Sequence, residues 1–288
     1  MTLLPLAQLI VLAQVTIPLD APSPIPAGDS LWAEELTWME LRDQIKAGKT
    51  TIIISTGGIE QNGPYVAGGK HNFVLQTVLP YIARSIGNTL IAPIVKFVPE
   101  GAIDPTPTSH MRYPGTISVE ESTFTALITD ICRSYQKHGF KDIILLGDSG
   151  GNQAGMEKVA KALNLKWKAT STRVHYLREY YAEDPWSYDF LKARGIVQID
   201  KTPGKGEKPD RPAHTRNGIH DDIYYEAQIA VLDPKLIRAE QRIKANLFTL
   251  HGVNLAPLDK TIELGRKLAE YRATITAKAF KASQSRLR

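Results

Sequence analysis

The chain has 288 residues, 43% of them hydrophobic and 23% charged, and a formal net charge of +5. That balance is ordinary for a globular protein, and the length is enough for one sizeable core. No run of Lys and Arg interleaves with aromatics, so a nucleic-acid groove is not indicated; the single cysteine, Cys132, excludes an intramolecular disulfide and a thiolate metal cage.

The first thirty residues stand apart. Leu3 to Val15 is an apolar run too short to span a bilayer but suited to the core of a signal peptide. Val11-Leu12-Ala13 before Gln14 has the small-residue pattern of a cleavage site, yet no Lys or Arg precedes Arg42 to supply a positive leader. The segment is either an export signal, the reading favoured here, or a disordered apolar tail. Pro18 to Pro26 reads as a linker, because so many prolines fit neither a helix nor a central strand. Residues 1–29 are therefore separated from a single domain over 30–288, with a periplasmic or secreted location expected and a cytoplasmic one as the alternative.

From Ser30 the chain alternates helical and strand-like segments. "LTWMELRDQIKAG" has helical apolar spacing and ends on Gly48; "TTIIIST" is a buried strand; "NFVLQTVLPYIARSIG" is a helix closed by Gly87. "TLIAPIVKFV" reads as a strand, and "SVEESTFTALITDICRSYQKHG" as a helix opened by Ser118 and Glu121 in capping-box spacing and stopped at Gly139. Cys132 lies on the apolar face of that helix and reads as an inert buried thiol. "KDIILLGDSGGN" is a strand running into a glycine turn, followed by the helix "QAGMEKVAKALNLKW" and the strand "ATSTRVHYL". "EAQIAVLDPKLIR" and "KTIELGRKLAEYRATITAKAFKAS" are the last helices. Such alternation predicts a mostly parallel sheet covered on both faces, with ligands at the carboxyl ends of the strands. Two unusual loops, Gly57 to Asn72 and Gly147 to Asn152, fall at those ends. A long polar segment, Asp200 to Asp222, reads as a functional or mobile loop.

Four blocks then resemble, in order, the motifs of the creatininase (creatinine amidohydrolase) family. "STGG" leading into Glu60-Gln61-Asn62-Gly63-Pro64 is similar to its opening strand, turn and Glu-Gln-His-Gly-Pro. "SHMRYPGTIS" is similar to its His-x-x-aromatic-Pro-Gly-Thr-Ile-Ser segment, "LLGDSGGNQAG" to its strand and Asn-Gly-His-Gly-Gly-Asn turn, and "HDDIYYEAQIAVLDP" to its last helix start. The resemblance implies a three-layer α/β/α sandwich and a homo-oligomer, commonly a hexamer. It also implies a hydrolase that uses two divalent metals to cleave non-peptide C–N bonds of small, often cyclic, amides; creatinine itself is not expected.

Several family positions are replaced. Glu60 stands at the first metal carboxylate, Asn62 at the first histidine ligand, His71 at the bridging aspartate, Ser149 at the histidine of the glycine turn, and Tyr225 at the last glutamate, with Glu226 beside it. An imidazole cannot bridge two cations as a carboxylate does. The expectation is one Zn or Mn ion held by Glu60, His71 and Asp148. His110 and Glu226 would move protons, and Asn62, Ser149, Gly150, Gly151, Trp186 and Tyr225 would form the substrate pocket. The aromatics of "REYYAEDPWSYDF" around Trp186 would cover substrate or make a subunit contact. His220, with Asp221 and Asp222, reads as a solvated, capped helix start and, as a lesser alternative, a replacement ligand. The competing function is a metal-free small-molecule-binding protein on the same fold.

Overall fold

A computed structural model describes residues 17–182, 185–198 and 220–287. The signal-like segment up to residue 16 and most of the long polar loop, 199–219, lie outside them. In chain order the elements are α1 (Trp38–Lys46), β1 (Thr51–Thr56), α2 (Lys70–Ile86), β2 (Thr89–Ile91), α3 (Glu121–Lys137), β3 (Asp142–Gly147) and α4 (Gln153–Lys166). They continue with β4 (Arg173–Tyr176), α5 (Pro185–Lys192), α6 (Ile223–Leu232), α7 (Ala239–Lys244), β5 (Thr249–Leu250), β6 (Val253–Asn254) and α8 (Leu258–Leu287). The main sheet has the order β2-β1-β3-β4 and is parallel throughout; β5 and β6 form a small antiparallel pair.

The expected sandwich follows from side-chain alternation in strands that are apolar on both faces. Ile53, Ile144 and Leu146 point to one side and pack with Val74, Leu75 and Val78 of α2, Ala227 and Ile229 of α6, and Leu268 of α8. Ile52, Ile54, Ile143 and Leu145 point to the other and meet Phe124, Ile128 and Cys132 of α3 and Met156 and Val159 of α4. Each fully buried side chain of this size contributes about 1.5–3 kcal/mol. Cys132 is indeed buried, and burial pushes its thiol up to about 12. Gly265 lets α8 approach α6 closely, since a Cβ there would lie 2.0 Å from the Ala227 carbonyl oxygen.

Three local expectations change. The strand over Thr89 to Val98 stops at Ile91, because Pro93 removes a ladder donor; beyond it only isolated bridges remain, Thr56 with Val95 and Val98 with Ser118. Ser118 does not cap α3: its hydroxyl accepts from Glu100 N and donates to the Gly101 carbonyl. The capping box lies instead at α1, between Thr37 and Glu40. The Pro-rich linker is not loose, since Arg42 Nη1 donates to the carbonyls of Leu19 and Ala21. Among the described residues no helix is long and apolar enough to cross a membrane.

Candidate active site

Parallel pairing of β1 with β3, in register from Thr51–Asp142 to Thr56–Gly147, puts the two unusual loops side by side at the carboxyl end of the sheet. Asn152 ties them together, its Nδ2 donating to the carbonyls of Thr56 (3.1 Å) and Gly57 (2.8 Å). Between the loops opens a cleft of about 440 Å³, walled by Glu60, Lys70, His71, Glu100, His110, Ser149, Gly150, Gly151, His220 and Tyr225, among others.

Glu60 is its charged centre. Oε1 lies 2.8 Å from His71 Nε2, 3.2 Å from Lys70 Nζ and 3.4 Å from His220 Nε2, while Oε2 lies 3.2 Å from His110 Nε2. Burial alone would push this carboxyl up, but Lys70 and His71, with His220, outweigh it and hold the group well below the usual carboxylate range. Lys70 and His71 are not loop residues as the sequence suggested; they form the first turn of α2. A cation at a helix N-terminus is unfavourable, and Lys70 is held there by Glu60, by the His220 carbonyl at 2.9 Å and by the face of Tyr225.

Behind Glu60 runs a chain of buried groups. His71 Nδ1 lies 2.9 Å from Asp148 Oδ2, and Asp148 Oδ1 accepts from Arg272 Nη2 (2.8 Å) and the Tyr180 hydroxyl (2.9 Å). Burial and Lys70 pull the His71 imidazolium down, but the carboxylates of Glu60 and Asp148 prevail and it is pushed up to about 9. Burial disfavours the Asp148 charge, yet Arg272 and His71 keep it ionised, below its ordinary value. On the other wall, burial and then the charge of Glu60 push Glu100 up to about 8. Glu100 fits there because residue 58 is glycine, where a Cβ would lie 2.0 Å from Glu100 Oε1.

The comparisons bear on this arrangement. Residues 34–251 match the family model for creatininase, creatinine amidohydrolase. The chain belongs to the creatininase family. It is 26% identical over 169 residues to a creatinine amidohydrolase of Pseudomonas putida, covering 59% of this chain and 62% of that protein. It is 25% identical over 120 residues to a 3-dehydro-scyllo-inosose hydrolase of Thermotoga maritima, covering 42% and 36%. In both cases the match spans less than two thirds of the relative's length. A crystal structure of creatininase matches with a TM-score of 0.62 at 18% identity, over 88% of this chain and 98% of that one, which shows the shared fold. Solved creatininases of similar match include a manganese form and a Zn–Zn form.

Measured against the creatininase pattern, the expected ligand set is rearranged. Glu60 and His71 are adjacent, but both nitrogens of His71 are already engaged by carboxylates, and Asp148 is fully buried against Arg272, His71 and Tyr180. Both His71 nitrogens are thus spent on carboxylates, and Asp148 does not line the cleft. What converges instead is Glu60 with His110 and His220, three donor atoms within 4.8 Å of one another. The two rings lie 4.6 Å apart, and His110, pulled down by burial, favours the neutral form that ligates. A carboxylate and two imidazoles suit one divalent ion with an open position. Among the described residues no other such group of three donors converges.

Other predicted residues are placed as follows. Ser149, Gly150, Gly151 and Tyr225 line the cleft, and the Ser149 hydroxyl faces Glu100 Oε2 at 3.4 Å. Asn62 is buried beneath it, donating to the Glu60 carbonyl. Glu226 does not line the cleft; it is buried on α6 in an ion pair with Arg242 (2.5 Å), and its neighbour Asp221 is the acid that reaches the wall. Trp186 lines a neighbouring cavity rather than this one. Sequence reasoning missed Lys70, Glu100 and Arg272. Arg272 did leave a signal, a charge on the apolar face of the last helix between Leu268, Ala269 and Thr276, all buried.

Proposed function

We propose that this chain is a creatininase-type hydrolase that cleaves a non-peptide C–N bond of a small amide or lactam, with one divalent ion, Zn or Mn, held by Glu60, His110 and His220. The observation that carries this reading is the convergence of those three donors on the wall of the strand-end cleft. Membership of the family and the Mn and Zn–Zn forms of related creatininases support it. Such an ion would polarise the amide carbonyl and lower the pKa of an attacking water.

The chain's own residues do the rest. His71, braced by Asp148, fixes the Glu60 carboxylate from behind, so its donor oxygens are pre-positioned. Glu100 takes the role expected of Glu226: it faces the cleft beside Ser149, where it can hand a proton to the departing nitrogen. Tyr225 and the Gly150–Gly151 backbone shape the wall against which a flat substrate lies.

A second reading has its own observation. Lys70 Nζ, buried 3.2 Å from Glu60 Oε1, already places one cation beside the carboxylate, which favours a metal-free binding protein. Metal analysis of the purified protein separates the two. The hydrolase reading expects one Zn or Mn per chain, lost in His110→Ala and His220→Ala, and release of amine from small amides that ends in Glu60→Gln. Protein that takes up no metal, and whose melting temperature ignores Zn²⁺ and Mn²⁺, leaves the binding reading.

A further inference from the structure

Past the end of β3 the chain reads Gly147-Asp148-Ser149-Gly150-Gly151, a Gly-x-Ser-x-Gly sequence between a buried strand and a helix. In a parallel sheet such a turn lifts its serine to the rim where ligands sit. Ser149 does stand among the wall residues of the cleft. Its backbone is ordinary extended chain (φ −112°, ψ 148°), so the sharpness of the turn comes from the glycines around it. A Cβ at Gly147 would lie 2.5 Å from Thr56 Oγ1, and one at Gly151 would lie 2.2 Å from the Pro99 carbonyl oxygen. The close approach at Gly151 presses the turn against the residue before Glu100, and the Ser149 hydroxyl donates to Glu100 Oε2 at 3.4 Å.

Three parts of an acyl-transfer site are therefore in one place. Ser149 supplies a hydroxyl. Glu100 supplies a carboxylate to take its proton, and is itself fixed, because its N–H donates to Ser118 Oγ (2.9 Å) and its carboxyl fills the space that Gly58 leaves. The N–H groups of Gly150 and Gly151 open the helical turn that leads into α4. Both glycines are exposed and line the cleft, and among the described residues nothing accepts from either N–H. Free backbone N–H groups beside a nucleophile are where the charge of a tetrahedral oxygen settles.

We propose that Ser149 is a nucleophile that opens small carboxylic esters through an acyl-enzyme. Its Oγ bonds to the ester carbonyl carbon as the bond from that carbon to the alcohol oxygen breaks. The hydroxyl proton passes to Glu100 and from there to the departing alcohol. Water then adds to the acyl carbon, releases the acid and restores the Ser149 hydroxyl. An alcohol leaves with less help than an amine, which makes esters the substrate class. The step uses none of Glu60, His110 and His220, so it goes beyond the metal-dependent C–N cleavage and is tested apart from it.

The test mixes the full-length chain, as purified, with p-nitrophenyl acetate in mildly alkaline buffer. A burst of about one p-nitrophenolate per chain is expected, with one acetyl group that peptide mapping by mass spectrometry places on Ser149. Ser149→Ala is expected to lose both the burst and the acetyl at an unchanged melting temperature, and Ser149→Cys to carry the acetyl at the same position as a thioester. Glu100→Gln is expected to slow the burst about a hundredfold. Acetyl found only on lysines, a burst that survives Ser149→Ala, or no burst at all overturns the proposal. Metal-assisted hydrolysis leaves no acetyl on the chain, so steady release of p-nitrophenolate without an adduct overturns it too. The hydrolase reading is judged on metal content and amine release, and either can fail while the other holds.

Discussion

An aspartate opens β3 and another follows directly on its last residue, and each holds a buried histidine. At the carboxyl end Asp148 lies 2.9 Å from His71, which reaches on to Glu60 in the cleft. At the amino end Asp142 lies 2.9 Å from His175 Nε2, whose Nδ1 lies 2.9 Å from the Ser283 hydroxyl. By residue type the second cluster is the more suggestive, a serine, a histidine and an aspartate in hydrogen-bonded line. None of the three lines either cavity described above, and all are buried. A nucleophilic triad is defined by access to a reacting carbonyl and by an oxyanion site, not by its residue names. This one joins β3, β4 and α8. The difference comes from the sheet: in a parallel α/β fold the crevice opens past the carboxyl ends of the strands, so the same pair of side chains backs the cleft at one end and lies sealed in the interior at the other.

The contrast breaks most visibly at the aspartates. Asp148→Ala would leave the Arg272 guanidinium and the His71 imidazolium buried without their anion, and is expected to cost about 3–5 kcal/mol of stability along with the function of the cleft. Urea denaturation measures the first, and a loss below about 1 kcal/mol would mean the chain behind Glu60 is not the charged unit described. Asp142→Ala removes a partner of His175 and of Gln284 and is expected to cost less, about 1–3 kcal/mol. Its binding and turnover should stay within about twofold of the unsubstituted chain. A tenfold fall in kcat/KM would give the far cluster a role in the site.

The two ends also differ in how much of them the sequence discloses. The sheet could be read directly, because Ile52 to Ile54 and Ile143 to Leu146 are apolar on both faces and glycines stop the helices before and after them, each with positive φ at Gly48, Gly87 and Gly139. Glu60 could be read because it follows a strand and a glycine turn. The ligand set could not, because adjacency in a motif does not say which way a side chain turns. His71 begins a helix and points inward, whereas His110 and His220, about 110 residues apart in sequence, meet over Glu60. Glu226 sits in a helix start that resembles the family's, yet its rotation around α6 delivers it to Arg242. Ser118 and Glu121 have capping-box spacing, but tertiary contact with the Glu100–Gly101 turn takes the serine first.

Acidity sharpens the comparison. His71 has a folded-state pKa of about 9 against an ordinary 6.5. Its stabilisation is therefore complete below about 6.5 and is lost as pH rises through about 9. Glu100, raised to about 8 from 4.5, acts in the same sense over a lower window. In EDTA-treated protein, stability is expected to fall between pH 6.5 and 9, and the fall should shrink in His71→Gln while persisting in Asp142→Ala. An unchanged slope in His71→Gln would remove the imidazolium from the account.

The smallest effect is expected from Ser283→Ala. The hydroxyl contributes one neutral hydrogen bond to His175 Nδ1, worth about 0.5–1.5 kcal/mol. The loss should appear in the denaturation midpoint with no change in metal content, ligand binding or turnover. A nucleophile behaves differently, since replacing it by alanine abolishes chemistry and barely moves stability. Measuring both quantities on this one variant therefore decides between fastening and catalyst at the amino end of β3. Turnover lost at intact stability would reverse the assignment of the two ends.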